Sequence, residues 1–181
     1  IIEIAAIEIM EGKITTNNTF HSLVKPPCRI QPHNYRVSGI SDDMVKDAPV
    51  INQVLPGFLS FIRNDPLIAH SVSFDSRVLN EQTAMLGHNE VSNILIDTLT
   101  LSRKIYKKEK THSLDVIMQR LDIKPSIKHR HRALEDVECT AIVFLKFLEI
   151  LKQSNITTLE DIDRLCNADC NVDDLQQFRL F

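Results

Sequence analysis

The sequence carries no excess of positive charge: 21 Lys and Arg against 24 Asp and Glu leave a net charge of −3. Any site for nucleic acid must therefore be a local patch and not a property of the whole surface. No apolar run approaches the length of a membrane span. No basic start followed by an apolar stretch and a small-residue cleavage site marks a signal peptide. Neither reading leaves a role for a membrane. There are only four cysteines, Cys28, Cys139, Cys166 and Cys170, at irregular spacing. Free thiols in a cytoplasmic protein are the simplest account of them. Cys166 and Cys170 could be two metal ligands, but no second pair or nearby histidine completes a zinc site. Internal repeats and low-complexity stretches are also missing. So is a polar lead-in: the chain opens on Ile1 in mid-pattern, which creates the expectation that it was cut from a longer one.

With 43% hydrophobic and 25% charged residues over 181 positions, the composition suits one globular domain with a sizeable core and perhaps a short appendage. Residues 1–10 are rich in isoleucine, with Glu3 and Glu8 as interruptions, and read as a strand. Glu11-Gly12-Lys13 makes a turn, and residues 14–25 form the second strand of an antiparallel hairpin. Residues 26–38 read as a loop, with Ser41 capping a short helix through Val45. Pro49 marks a helix start, and Val50, Ile51, Val54, Leu55, Phe58, Leu59 and Ile62 follow helical spacing, with Pro56 on the opposite face. A short strand over residues 66–70, a helix over 75–86 stopped by Gly87, a strand over 94–97 and a helix to about Tyr106 come next. Ser113 opens a helix over 114–121. Ala133, Val137, Ala141, Phe144, Leu148 and Leu151 trace a long final helix. Thr157 with Glu160 resembles a capping box for one more short helix. The remainder of residues 152–181 is acidic and polar and reads as a loosely packed tail or linker, open to a partner. A hairpin followed by alternating helices and short strands argues for an α/β domain, a mixed sheet with helices on its faces.

Two stretches carry chemistry. Asp75 follows Ile68-Ala69-His70-Ser71-Val72-Ser73-Phe74, a strand, a turn and a helix start. That is the carboxyl end of a strand, where open α/β sheets gather ligands; a helix cap is the competing reading. His131 precedes the last helix and Asp136 falls in its first turn, on a track with Thr140, Val143 and Phe147 beside the apolar stripe. A carboxylate near a core face needs a partner, and a metal ion would be one; an acid suited to a helix N-terminus is the alternative. His131 is either functional or one more surface histidine beside His129. Mg²⁺ and Mn²⁺ take hard oxygen ligands, two-metal hydrolysis of phosphodiesters needs converging carboxylates, and a histidine titrates in the range of a base for the attacking water. Lys104, Lys107, Lys108 and Lys110 form one basic cluster, and Lys124, Lys128, Arg130 and Arg132 another. Each is either a phosphate contact or a solvated face.

The stretches 70–75 and 131–136 resemble the second and third exonuclease motifs of the DnaQ-like DEDDh family, which has a ribonuclease H-like fold and includes the epsilon proofreading subunit of bacterial replicative polymerase. Ile1-Ile2-Glu3-Ile4-Ala5-Ala6, Val37-Ser38-Gly39-Ile40-Ser41 and Asp97-Thr98-Leu99 match further landmarks, so the likeness runs from Ile1 to about Leu151. It implies an exonuclease domain over residues 1–151 and a tail or linker over 152–181. Asp75 and Asp136 would be metal ligands and His131 the general base, with Mg²⁺ or Mn²⁺ as cofactor, two ions in the intact enzyme. His70, Ser71, Phe74 and Arg130 would contact the substrate. The family usually has asparagine where this chain has Ser71. Its first motif, an Asp-x-Glu pair on a central first strand, would precede Ile1, and neither Glu3 nor Glu8 substitutes for it.

The implied activity is 3′-5′ hydrolysis of terminal phosphodiesters of single-stranded DNA in proofreading or repair, RNA being a possible substrate and a DNA polymerase subunit a possible partner. Lacking the first motif, these 181 residues would be inactive alone. The alternative reading is a non-catalytic relative that binds nucleic acid or a polymerase.

Overall fold

Alternation of isoleucine and small residues makes Glu3–Met10 a strand, β1, which pairs antiparallel with β2, Lys13–Leu23. The structure, a computed structural model, describes residues 1–124 and 132–167. The hairpin turn is Glu11-Gly12, with φ of 52° and 74°. Two successive left-handed residues form the tight turn whose twist suits the flanking strands, and glycine takes the second position without a Cβ clash. The register slips between Ile7, opposite Thr19, and Glu8, opposite Thr15, so residues 16–18 bulge from β2.

The helices follow in order: α1 (Pro32–Ser38), α2 (Asp42–Val45), α3 (Ile51–Ile62), α4 (Val72–Met85), α5 (Thr98–Ile105), α6 (Leu114–Arg120), α7 (Ala133–Gln153) and α8 (Leu159–Asn167). Two short strands, β3 (Leu67–Ala69) and β4 (Leu95–Asp97), pair in parallel. Antiparallel and parallel pairing both occur, as a mixed α/β fold requires. The strands form two separate two-stranded sheets, β1–β2 and β3–β4. The stretch 26–38, expected to be a loop throughout, closes into α1. That helix buries none of its residues, so no apolar period announces it.

The chain divides into two compact units. Among the described residues, the first holds 1–65, 76–92 and 132–138, and the second holds 66–75, 93–124 and 139–167. In the first unit, the apolar face of α3 buries Val54, Leu55, Phe58 and Ile62, with Val24, Ile40 and Val45 also buried. Phe20 of β2 meets the Phe58 ring edge-on at 5.5 Å. Gly57 permits that approach, since a Cβ there would stand 3.4 Å from Phe20 Cε2. Pro56 lies on the exposed side of α3, as its place in the periodicity requires.

In the second unit, Ile96, Leu101, Ile117, Val143, Phe147 and Leu151 are fully buried. Tyr106 packs edge-on against Phe147 at 6.2 Å and receives the Arg120 guanidinium on its face at 4.8 Å. Cys139 is buried here as a core thiol. Cys166 is half-buried, and burial pushes its thiol up to about 11, which suppresses the thiolate a metal would need. Cys170 lies outside the described residues.

The loose packing expected of residues 152–181 does not hold through Asn167. Helix α8 packs on α5 and β4, and Ile156, Ile162 and Leu165 are buried at 3%, 2% and 0% exposure. Three apolar side chains at the right spacing suffice to dock a short helix whose other faces are acidic. Its cap is Thr158, one residue beyond the expected Thr157: Thr158 Oγ1 accepts the Asp161 N–H at 3.1 Å, and Asp161 Oδ2 accepts the Thr158 N–H at 3.2 Å. Residues 168–181 lie outside the described residues.

Leu165→Ala should therefore lower the stability of the protein by about 2–5 kcal/mol, the usual cost of truncating a fully buried leucine. Urea denaturation followed by circular dichroism measures it. An unchanged midpoint would mean that α8 is dispensable to the core.

Candidate functional site

Strand β3 passes into α4 through His70 and Ser71. Ser71 adopts a φ of 73°, a left-handed conformation that a serine holds only where its surroundings compel it. Asp97, at the end of β4, supplies the compulsion. Its Oδ1 accepts the Ser71 N–H at 2.8 Å and the Leu99 N–H at 2.9 Å, and its Oδ2 accepts from Thr100 Oγ1 at 3.2 Å. One carboxylate thus caps α5 and pins the turn before α4. Thr98 Oγ1 donates to the Ala69 carbonyl at 3.2 Å and stands 3.1 Å from His70 Nδ1. A hydroxyl that gives its only proton to Ala69 must accept from the imidazole, which puts the His70 proton on Nδ1.

Asp75 sits on this turn's far side. Helix α4 begins at Val72, so Asp75 lies within the first turn and is not the cap. Although its edge reaches solvent, partial burial first, and the charge of Asp97 second, push its carboxyl up to about 6. Phe74 beside it is 58% exposed. His70, Ser71, Phe74 and Asp75 are thus brought together on one strand–turn–helix junction.

Asp136 belongs to the first turn of α7. Its N–H donates to the Arg132 carbonyl at 3.0 Å, the bond that opens the helix. Arg132 has no oxygen in its side chain with which to cap α7. The cap comes from Glu3 of β1, 130 positions away, whose Oε2 accepts the Ala133 N–H at 2.8 Å. Arg132 Nη2 reaches Glu3 Oε1 at 2.7 Å, its Nε lies 3.1 Å from both oxygens, and His21 Nε2 stands 2.8 Å from Oε1. The Glu3 side chain is 5% exposed. Burial pulls its pKa upward, and the bonds from Arg132, Ala133 and His21 more than offset this and hold it below the usual carboxylate range. Further along α7, Thr140, Val143 and Phe147 are buried, as the track through Asp136 anticipates.

His131 and Arg130, expected as general base and substrate contact, lie outside the described residues, as does Lys128. Arg132, expected in a phosphate-binding cluster, is instead committed to Glu3. Lys108 and Lys110 are exposed after α5. Sequence reasoning used Glu3 and Asp97 only as landmarks and missed what each holds. A carboxylate in the isoleucine-rich strand β1 was the available signal, since burial obliges it to find donors.

A carboxyl disfavoured by burial and by a neighbouring negative charge, as at Asp75, is relieved by a cation. The carboxylate oxygens of Asp75 are hard donors of the kind that Mg²⁺ or Mn²⁺ takes. Among the described residues, no group of three or more His, Cys, Asp or Glu side chains stands close enough to hold a metal ion.

Comparison with known proteins places these features. The Exonuclease family model (RNase_T) matches residues 1–144. The DNA polymerase III PolC-type protein of Caldanaerobacter subterraneus subsp. tengcongensis is 39% identical over 163 residues, 90% of this chain and 11% of that protein. A DNA polymerase III subunit epsilon-like protein of Rhodobacter capsulatus is 35% identical over 158 residues, 87% of this chain and 22% of its own length. The chain thus spans a small part of the curated relatives it matches. Exonuclease X, solved in complex with 5′ overhanging duplex DNA, superposes with a TM-score of 0.74 at 27% identity, over 92% of this chain and 91% of the other. The nuclease domain of 3′hExo, a DEDDh family member bound to rAMP, shares the fold with a TM-score of 0.69 at 17% identity, over 82% and 80% of the two chains. No helix among the described residues is long and apolar enough to cross a membrane.

The Asp75 carboxyl makes a pH prediction for the metal-free protein. With its folded value raised from 3.8 to about 6, the folded state keeps a proton that the unfolded state releases, so the contribution of Asp75 to stability is complete below the unfolded value and is lost as pH rises through the folded one. Asp75→Asn should therefore match the parent in melting temperature near pH 3.5 and exceed it at pH 8. Added Mg²⁺ should narrow the gap at pH 8 by raising the parent. An equal melting temperature at pH 8 would contradict the raised value.

Proposed function

Because the chain belongs to the DnaQ-like exonuclease family, we propose that it is the nuclease part of a 3′-5′ exonuclease that hydrolyses terminal phosphodiesters of single-stranded DNA, in proofreading or repair. The observation that carries this reading is the state of Asp75. Its carboxyl sits at the carboxyl end of a parallel strand pair and reaches solvent, and burial and the charge of Asp97 both disfavour its ionised form. Structural ion pairs lower a carboxylate pKa, whereas a ligand site awaiting its cation raises it.

In this reading Asp75 and Asp136 hold divalent cations, Mg²⁺ or Mn²⁺. Such ions, when bound, supply charge stabilisation at the phosphate and acidify the attacking water. His131 takes the proton from the attacking water. His70, whose Nδ1 stands beside Thr98 Oγ1, contacts the substrate. Phe74 offers an exposed ring face on which a terminal base can stack. Arg130, Lys108 and Lys110 are suited to phosphate. A DNA polymerase is the natural partner, given relatives named DNA polymerase III.

The 181 residues supply two of the four carboxylates in the family's site. As they stand they should bind Mn²⁺ weakly and digest a labelled single-stranded oligonucleotide negligibly. With an Asp-x-Glu first strand supplied, digestion should proceed from the 3′ end. Asp75→Ala or Asp136→Ala should then abolish it, and His131→Ala should slow it by about 10²–10⁴-fold. Near-parental rates in these variants would refute the assigned roles. Oligonucleotide binding without cleavage in the completed protein would favour a non-catalytic binding module.

A further inference from the structure

Helix α7 starts in an unusual way. Its cap position is an arginine, a residue that cannot accept the free N–H groups of a helix's first turn. The missing acceptor arrives from another element. Glu3 Oε2 takes the Ala133 N–H at 2.8 Å while Oε1 grips Arg132 Nη2 at 2.7 Å. The two bonds fix the backbone and side chain of adjacent residues through one carboxylate. The Arg132 carbonyl, held in this way, accepts the Asp136 N–H at 3.0 Å. A continuous path of short bonds therefore runs from β1 to Asp136, the carboxylate assigned to metal.

The pairing has the properties of a designed anchor. Glu3 is nearly inaccessible, and its partner Arg132 retains 26% exposure. The pair is charge-assisted, with two guanidinium nitrogens reaching the carboxylate, the geometry that fixes orientation most tightly. A carboxylate is also the favoured group at a helix N-terminus, where the backbone dipoles leave partial positive charge. His21, on the neighbouring strand, restrains Glu3 from the other side at 2.8 Å.

We infer that Glu3 is a positioning residue for the exonuclease site: it sets the first turn of α7, and with it Asp136, through the Arg132–Ala133 clamp. This rests on the metal-nuclease reading of Asp136, although the clamp itself does not.

The test uses the full-length protein and two readouts. Mn²⁺ binding is followed by loss of the free-ion electron paramagnetic resonance signal, and amide hydrogen exchange is followed at Ala133 and Asp136. Glu3→Ala should weaken Mn²⁺ binding by about 10–100-fold, the usual effect of removing a group that orients a metal ligand, and should speed exchange at both amides. Glu3→Gln keeps an acceptor for the Ala133 N–H and should recover part of both. Phe58→Leu, which disturbs the core of the same unit, serves as control. At an equal fall in melting temperature it should leave Mn²⁺ affinity and the two amides unmoved. Matching Mn²⁺ affinities in Glu3→Ala and Phe58→Leu, or parental protection of Asp136 in Glu3→Ala, would overturn the inference. If the parent binds no Mn²⁺ at all, the nuclease reading fails, and exchange at Asp136 alone decides the clamp.

Discussion

A carboxylate taken out of water must be met by donors or give up its charge. Glu3, Asp97 and Asp75 face that demand, and they answer it differently. Glu3 is met by Arg132, Ala133 and His21 and stays ionised. Asp97 is met by the amides of Ser71 and Leu99 and the hydroxyl of Thr100. Asp75 is left facing Asp97 in partial burial, and its carboxyl holds its proton to about pH 6. Glu3 fixes the start of α7, and Asp97 pins the turn that leads to Asp75. Organisation and reactivity are thus divided among like side chains by the donors each receives.

The packing around these acids shows why they can be held. Each unit has a core of its own, one around the apolar face of α3 and the other around α5, α6 and the later turns of α7. Thr98, buried beside His70, brings a hydroxyl and no charge. Burial and the charge of Asp97 are what shift the Asp75 carboxyl, and both favour its neutral form.

Much of this was legible in the sequence where periodicity was strong. The apolar spacing of Val54, Leu55, Phe58 and Ile62 placed α3, and Leu114, Ile117 and Met118 placed α6, because burial imposes its period on composition. Glu11-Gly12 announced a hairpin turn through the left-handed geometry that only certain residues accept. Helix α1 was illegible, since a helix that buries nothing leaves no period. Helix α8 was underestimated because its two inward residues, Ile162 and Leu165, are diluted among acids. The strand, turn and helix around Asp75 were legible, but the helix starts at Val72 and not at Asp75, a boundary that local propensity does not settle. The bond from Glu3 to Ala133 spans 130 positions, and no local pattern encodes a partner at that distance.

Ser71 has a meaning for how such a chain can drift over generations. At φ 73° with its N–H committed to Asp97, the position filters incoming residues by backbone tolerance before any side-chain contact matters. Glycine and asparagine pass at small cost, while valine, isoleucine and threonine meet a steric barrier in the left-handed region. The asparagine usual in this family at that place is thus explicable by the turn alone, and the serine here is a substitution that the backbone only just admits. Two lineages could exchange these residues without any change in what they cut, so variation at this site is a record of backbone geometry as much as of substrate.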